Sequence, residues 1–311
     1  MSDRLPPLTA LRAFDAAARH MSFARAADEL NVTPAALSFQ IKSLEEHLGH
    51  PLFRRLNRAV ELTEAGRALA PGAQEGFARL TTAWRAARRL GDTRTLTVTA
   101  GPAITAKWLA PRLFDFAGSH PEIELRFTAS LRMMDFDRDE IDVAIRFGYA
   151  RDEDEGVFST PIIREWVTPM MSPEMARAFD TPAKLHDATL LHQDDTAFLR
   201  PRIDFDAWFA AAGLGAAPKT GPRFSQADHA LDAAMAGGGV VMGRISLAAQ
   251  ALRDGQLVAP FPLSLKTEAH YRFLCQNGAE HRPQVAAFLE WIRSEAAHLD
   301  AFDEGRDFVD A

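Results

Sequence analysis

Cysteine is nearly absent: Cys275 stands alone among 311 residues. An intramolecular disulfide is therefore excluded, and with it the small stapled scaffolds of oxidising compartments. Long apolar runs are missing too. None reaches the roughly 18 residues that a membrane span needs. The opening MSDRLPPLTALRAF has neither the apolar core nor the cleavage site of a signal peptide. A cytoplasmic protein with no membrane partner is expected. Enzyme signatures are also lacking: no Gly-x-Ser-x-Gly elbow, no dinucleotide fingerprint and no zinc spacing. The run Gly237-Gly238-Gly239 is not followed by the Gly-Lys-Ser/Thr of a phosphate loop, and reads as a helix-ending turn. Glu45, Glu46, His47 and His50 resemble a metal cluster, but they fall on the solvated side of a helix or just beyond it. Cys275 lies in an expected strand and reads as core. No catalysis, metal or cofactor is expected.

What remains is an ordinary globular mixture, 47% hydrophobic and 25% charged. Its length suggests about two domains. Its charge is uneven. Residues 1–91 hold 13 Lys and Arg against 9 Asp and Glu, an excess of four positive charges; with the whole chain at -7, the rest carries about -11. A basic end on an acidic body suits a protein whose one end meets a polyanion.

Residues 8–20 place Leu8, Leu11, Phe14, Ala17 and Ala18 at helical spacing. Ser22 can cap a second helix that ends near Leu30, and Asn31 suits the turn after it. Thr33 then caps a third helix with Pro34 at its first position, where a missing N–H costs nothing. Leu37, Ile41, Leu44 and Leu48 make its inner stripe, and Gly49 ends it. Three short helices in this order predict a helix-turn-helix. In PLFRRLNRAVEL, the apolar pairs bracket Arg54, Arg55, Asn57 and Arg58 as a two-stranded basic wing. Thr63 and Glu64 open a long helix running to about Leu90. Its stripe of Leu69, Ala73, Leu80, Trp84 and Ala87 is too narrow for a domain core and suits pairing with another helix.

After Gly91-Asp92-Thr93 the texture changes. The segments TLTVTAG, IELRFTAS, DVAIRFG, WVTPMM, TLLHQ, PRFSQ, GVVMG, LVAPF and YRFLCQ read as strands. Helices are expected over TAKWLAPRLFDFAGSH and over 205–213, 228–237, 246–253 and 283–297. Repeated βα units predict an α/β body. It should divide into two subdomains, I over about 92–165 and 267–300, and II over about 166–266, with crossings near 165 and 266. The acidic tail from Leu299 is expected to fray.

The face of the third helix carries the chemistry. Thr33, Pro34, Ala35, Ser38, Phe39 and Gln40 are short, planar or apolar, as contact with base edges requires. Lys42, Arg54, Arg55 and Arg58 suit phosphates, which position a protein without reading sequence. In the α/β body, small molecules bind beyond the carboxyl ends of strands. Those ends carry Ala103, Ile104 and Thr105; Ser130; Arg146 and Phe147; His192; and Ser225 with Asp228. Arg146 either clamps a carboxylate or bridges the subdomains. Asp228 either faces an amine or caps its helix, and a lone histidine such as His192 is more often structural.

The first 66 residues resemble the winged helix-turn-helix of LysR-type transcriptional regulators, in LPPLTALRAFDAAARHMSFARAADELNVT and SLEEHLGHPLFRRLNRAVELTEAG. The resemblance is to the branch of glycine-cleavage activators and beta-lactamase regulators. It continues through AKWLAPRLFDFAGSHPEIELRFTAS, DVAIRFG and GPRFSQADHALDAAMAGGGVVMG. It implies an N-terminal all-α winged helix-turn-helix over 1–66 and a linker and dimerisation helix over 67–91. It further implies a C-terminal α/β effector domain of two subdomains, like periplasmic binding proteins, over 92–311. The implied partners are double-stranded promoter DNA, a small-molecule effector, further copies of the chain in a dimer or tetramer, and RNA polymerase. The alternative is a solute-binding or enzymatic α/β protein. Pro34 and Phe39 depart from the family's frequent Gln and Arg, and Ala103 from its Ser or Thr; Ser130, Ser225 and Tyr271 match places that contact effector.

Overall fold

In the computed structural model, the described residues are 5–56, 59–89, 94–132, 136, 139–149 and 156–311. Arg58 lies outside them, as does the side chain of Arg55. The chain forms two compact units, Met1–Gly91 and Asp92–Ala311.

The first unit starts with α1 (Leu8–His20), α2 (Phe23–Glu29) and α3 (Pro34–Leu48). Their boundaries follow from local chemistry. The Ser22 hydroxyl accepts from Arg25 N–H, and the Thr33 hydroxyl accepts from Ala36 N–H. Asn31 takes the positive φ of the turn between α2 and α3, and Gly49 takes it at the end of α3. Arg19 on α1 donates to Glu29 at the end of α2, and its guanidinium holds that carboxyl down at about 2. The core joins Ala13, Phe14, Ala17, Ala26, Leu37, Ile41 and Leu44. Leu48 does not complete the inner stripe as its spacing suggests: it is 46% exposed, because it sits in the final turn before the chain reverses. Leu8 is exposed as well.

The wing is an antiparallel pair, β1 (Phe53–Leu56) and β2 (Ala59–Leu62), with Phe53 opposite Leu62. The Glu45 carboxylate on α3 accepts from Leu52 N–H at 2.7 Å and Phe53 N–H at 3.2 Å. Thr63 ties the other side: its N–H donates to Leu52 O and its hydroxyl to Pro51 O. α4 (Glu64–Arg89) follows. Its first turns, at Leu69 and Ala73, pack on the helical core, while Leu80 and Trp84 stay exposed.

The second unit holds two sheets. In chain order its elements begin with β3 (Thr95–Ala100), α5 (Pro102–Ile104), a π-helical turn over Thr105–Leu109, α6 (Ala110–Ser119), β4 (Glu124–Ala129), β5 (Val143–Gly148), β6 (Val157–Ile163) and β7 (Trp166–Met170). Next come α7 (Pro173–Ala178), β8 (Leu190–Gln193), α8 (Phe205–Ala211), β9 (Arg223–Phe224), α9 (Ala227–Met235) and β10 (Val240–Arg244). Then follow α10 (Ile245–Arg253), β11 (Leu263–Lys266), β12 (His270–Gln276), α11 (Pro283–Ala297) and β13 (Asp307–Asp310). One sheet runs β4-β3-β5-β12-β6 and the other β13-β11-β7-β10-β8-β9. The chain passes between sheets from β6 to β7 and returns from β11 to β12. Phe116, Phe288 and Trp291 stack in the core of the first sheet, and Trp208, Phe209 and Phe261 in that of the second.

Three readings of the sequence need correction. LVAPF forms no named strand; only Val258 bridges Met171, and Pro260 has no N–H for a ladder. β6, β11, β13 and α7 were not expected. Nor does the acidic tail fray: β13 pairs in parallel with β11, Asp303 accepts from Trp166 Nε1 at 2.8 Å, and Phe308 packs edge-on against Trp166.

Candidate nucleic-acid interface and effector cleft

The outward face of α3 bears Thr33, Pro34, Ala35, Phe39 and Lys42, with Ser38 and Gln40 half-buried beside them. Phe39 is 69% exposed. An apolar ring held in water on a capped, well-packed helix is a poor idle surface and a good partner for thymine methyl groups. Lys42 pairs with Glu46, one turn on, at 3.7 Å. Arg54 stands exposed on the wing strand whose base Glu45 clamps. Glu45, placed by the sequence on the solvated side of the helix with Glu46, His47 and His50, is instead the link between recognition helix and wing.

In the second unit the strand ends open on a cavity of about 840 Å³. Of the residues expected there, Ala103, Ile104, Arg146, Phe147 and Tyr271 line it. The other five do not. Thr105 turns its hydroxyl back to Gly101 O at 2.7 Å. Ser130 accepts from Arg132 N–H, and Ser225 is exposed. His192 lines a separate cavity of about 170 Å³ and its ring nitrogen lies 3.3 Å from Thr220 O. Asp228 is the second residue of α9, not its cap; the cap position is Gln226, and one Asp228 carboxylate oxygen is buried with no partner.

The residues missed in the cavity wall include three charged ones, Asp195, Arg244 and Arg272. Arg244, at the end of β10, is 3% exposed. Its guanidinium donates to Asp195 and lies over the Phe147 ring, 5.0 Å from its centroid. Arg244 Nε and Asp195 Oδ1 are both buried without partners. Burial works against the Arg244 charge, but Tyr271, Asp195 and Glu165 outweigh it and hold the guanidinium above its ordinary value. Glu165 lies at the passage from β6 to β7, fully buried, and accepts from Ser246 N–H at 3.1 Å and the Ser246 hydroxyl at 2.5 Å. Burial raises its carboxyl to about 7 against those bonds. Burial likewise pushes the Tyr271 phenol up.

Contacts between the two sheets frame the cavity. The Tyr149 hydroxyl donates to Arg200 O and accepts from Arg200 N–H, both at 2.9 Å. Phe147 meets Phe198 edge-on at 6.3 Å, and Lys107 pairs with Asp232 at 2.5 Å. The cavity can enclose a small molecule, and a ligand touching both sheets can bias their relative placement.

A winged helix-turn-helix in one unit and a two-sheet cleft in the other define a class, a regulator that meets DNA with one unit and a small molecule with the other. The family model for the bacterial regulatory helix-turn-helix protein, lysR family, matches residues 8–67, and that for the LysR substrate binding domain matches 89–297. The glycine cleavage system transcriptional activator of Escherichia coli K12 is 39% identical over 301 residues, 96% of each chain. The transcriptional activator AmpR of Pseudomonas aeruginosa is 37% identical over 297 residues, 94% of this chain and 96% of that one. The solved effector domain of AmpR from P. aeruginosa, 29% identical, covers 68% of this chain and 98% of its own with a TM-score of 0.55. The chain belongs to the LysR family: it is a DNA-binding transcription regulator with an effector-binding domain, and not an enzyme. No described helix is long and apolar enough to cross a membrane.

Proposed function

We propose that this regulator binds promoter DNA as a dimer and changes transcription when a small molecule fills the 840 Å³ cleft. The DNA contacts fall to Thr33, Pro34, Ala35, Ser38, Phe39, Gln40 and Lys42 on α3, with Arg54, Arg55 and Arg58 on the wing. The observation that carries the reading is the exposed Phe39 on a helix capped at Thr33 and braced to the wing through Glu45. Dimerisation rests on α4, whose Trp84 is 68% exposed one turn from exposed Leu80. Two apolar side chains at that spacing are buried when a second copy of α4 lies against them. Such a protein works in the cytoplasm, where the promoter is. Its relatives are named as activators of glycine cleavage and of beta-lactamase, which favours activation of a neighbouring operon and contact with RNA polymerase.

The effector acts by linkage: it shifts the regulator between two arrangements only by its difference in affinity for them. The test is a footprint on the DNA upstream of the protein's own gene at two salt concentrations, with and without a metabolite pool. Protection should weaken with salt as phosphate contacts release counterions. Phe39→Ala should relax it at individual base pairs, by about 1 kcal/mol where a methyl contact is lost. Ala103→Phe, which places a ring in the cleft wall, should weaken or remove any metabolite response and leave protection intact. A metabolite response undiminished by Ala103→Phe would sink the cleft as the effector site.

A further inference from the structure

The first sheet carries a charge conflict on one face. β5 and β12 pair antiparallel with Arg146 opposite Arg272. Residues in register share a face with Cβ atoms about 5 Å apart, and like charges there repel. Among the described residues neither guanidinium meets a carboxylate. Arg146 donates to Ile145 O at 2.9 Å and to the Thr99 hydroxyl at 3.3 Å, and Arg272 Nε donates to the Ser159 hydroxyl at 2.9 Å. All three acceptors are neutral. Three other shielded arginines of this unit meet carboxylates: Arg244 meets Asp195, Arg282 meets Asp142, and Arg112 meets Glu295, while Arg306, like Arg146, donates to backbone carbonyls. Burial also weakens the hold of Arg146 on its proton, with no opposing charge to offset it.

Two half-buried cations, placed face to face without a counter-ion, are costly to the ligand-free protein. Both line the large cavity, on the same strand face as Ala144, Leu274 and Gln276. The bridging alternative is excluded by geometry, since the acceptors of Arg146 lie on β3 and β5 of its own sheet. An anion with two oxygens, seated between the guanidiniums, would remove the repulsion and supply the missing charge-assisted bonds.

We infer that Arg146 and Arg272 form an anion subsite of the cavity, and that the effector presents a carboxylate or phosphate group to it. The inference rests on the cavity being the effector site. The chemistry shared by the two groups is a planar or tetrahedral edge of acceptor oxygens, which guanidinium forks recognise.

The test follows thermal unfolding of the full chain in phosphate, in succinate, and in chloride at matched ionic strength. Wild type should gain midpoint temperature saturably with phosphate or succinate beyond the chloride effect. Phosphate acting alone assigns a phosphoryl group, and succinate alone a carboxylate. Arg272→Gln should raise the anion-free midpoint, because it removes the repulsion, and should weaken the saturable anion effect at least about tenfold, the loss of one charged bond of about 1.4 kcal/mol. A purely structural arginine would lower the midpoint instead. Arg146→Gln should also lose the anion effect; if the loss of its bonds to Thr99 and Ile145 prevents folding, Arg272→Gln decides alone. Equal midpoints in all three salts, or an undiminished anion effect in Arg272→Gln, would overturn the subsite. Should that happen while Ala103→Phe still blocks a metabolite response, the cavity stands and only its anion preference falls.

Discussion

Glu45 is the perturbation that best tests the link between the recognition helix and the wing. One carboxylate oxygen accepts two backbone N–H groups, Leu52 at 2.7 Å and Phe53 at 3.2 Å, at the foot of β1. Both residues are buried, so water cannot replace the acceptor fully. A charge-assisted bond contributes about 1.5–3 kcal/mol. The longer second bond shares its oxygen, so Glu45→Ala should cost about 3 kcal/mol in total. A second effect runs the other way. Glu45 sits in the last turns of α3, where a negative charge is disfavoured by a few tenths of a kcal/mol; its removal does not change the sign. Glu45→Gln keeps a carbonyl oxygen in place and loses only the charge, so it should cost about half as much. The assay is denaturant unfolding followed by circular dichroism, with DNA binding by anisotropy over a range of salt. Glu45→Ala should lower stability and also flatten the salt dependence, because Arg54 loses its fixed place beside α3. Equal stability in wild type and Glu45→Ala, or a glutamine variant no better than alanine, would refute the clamp.

Gly66→Ala should destabilise the first unit by about 1–3 kcal/mol, as overpacking does. The new Cβ would lie 2.3 Å from Leu52 O, a backbone atom that cannot swing aside; unfolding at the wild-type denaturant midpoint would contradict this. Glu165→Gln probes pH. Burial raises the folded carboxyl to about 7, above its ordinary value of 4.5, so the native state holds the extra proton between those values and stability should fall as pH rises from 4.5 to 7. That contribution is at most roughly 3 kcal/mol; the glutamine variant should lack it, and parallel stability-pH curves for the two proteins would rule it out. Truncation after Arg306 removes β13 and uncovers the edge of β11. It should lower the unfolding midpoint of the second unit, whereas a tail that frays would come off without effect.

The N-terminal unit was legible nearly to the residue because its signals are local. Ser22, Thr33, Pro34, Asn31 and Gly49 each act on backbone groups within a few positions, and each does so in the fold. Leu48 misled because spacing records only the face of a helix, not where its packing stops. The strands missed are mostly edge strands. β6 ends one sheet and carries Pro161, while β13 ends the other and reads as an acidic tail. Their identity as strands depends on a partner distant in sequence. The cavity was half legible for the same reason. Strand ends pointed to Ala103, Arg146 and Phe147, and the reading of GVVMG stopped one residue short of Arg244. His192 was expected at the cleft from its strand end, but it lines the smaller cavity, and Asp195, three residues on, lines the larger one.

Where this chain leaves its polar groups unsatisfied says more than their number. The cavity wall brings together two unpartnered atoms, Arg244 Nε and Asp195 Oδ1, and two opposed cations, Arg146 and Arg272. Asp142, by contrast, is satisfied by Arg282 and Thr97 N–H. A fold that gives Asp142 an arginine partner had the means to give Arg146 a carboxylate. Leaving it without one lowers the stability of the empty protein and raises the free energy released when a complementary ligand arrives. The same difference, by linkage, is what an effector has available to shift the regulator from one arrangement to the other. Stability lost at Arg146 and Arg272 and responsiveness to an anion are therefore two readings of one quantity. A variant that gains midpoint temperature without ligand should respond correspondingly less to it.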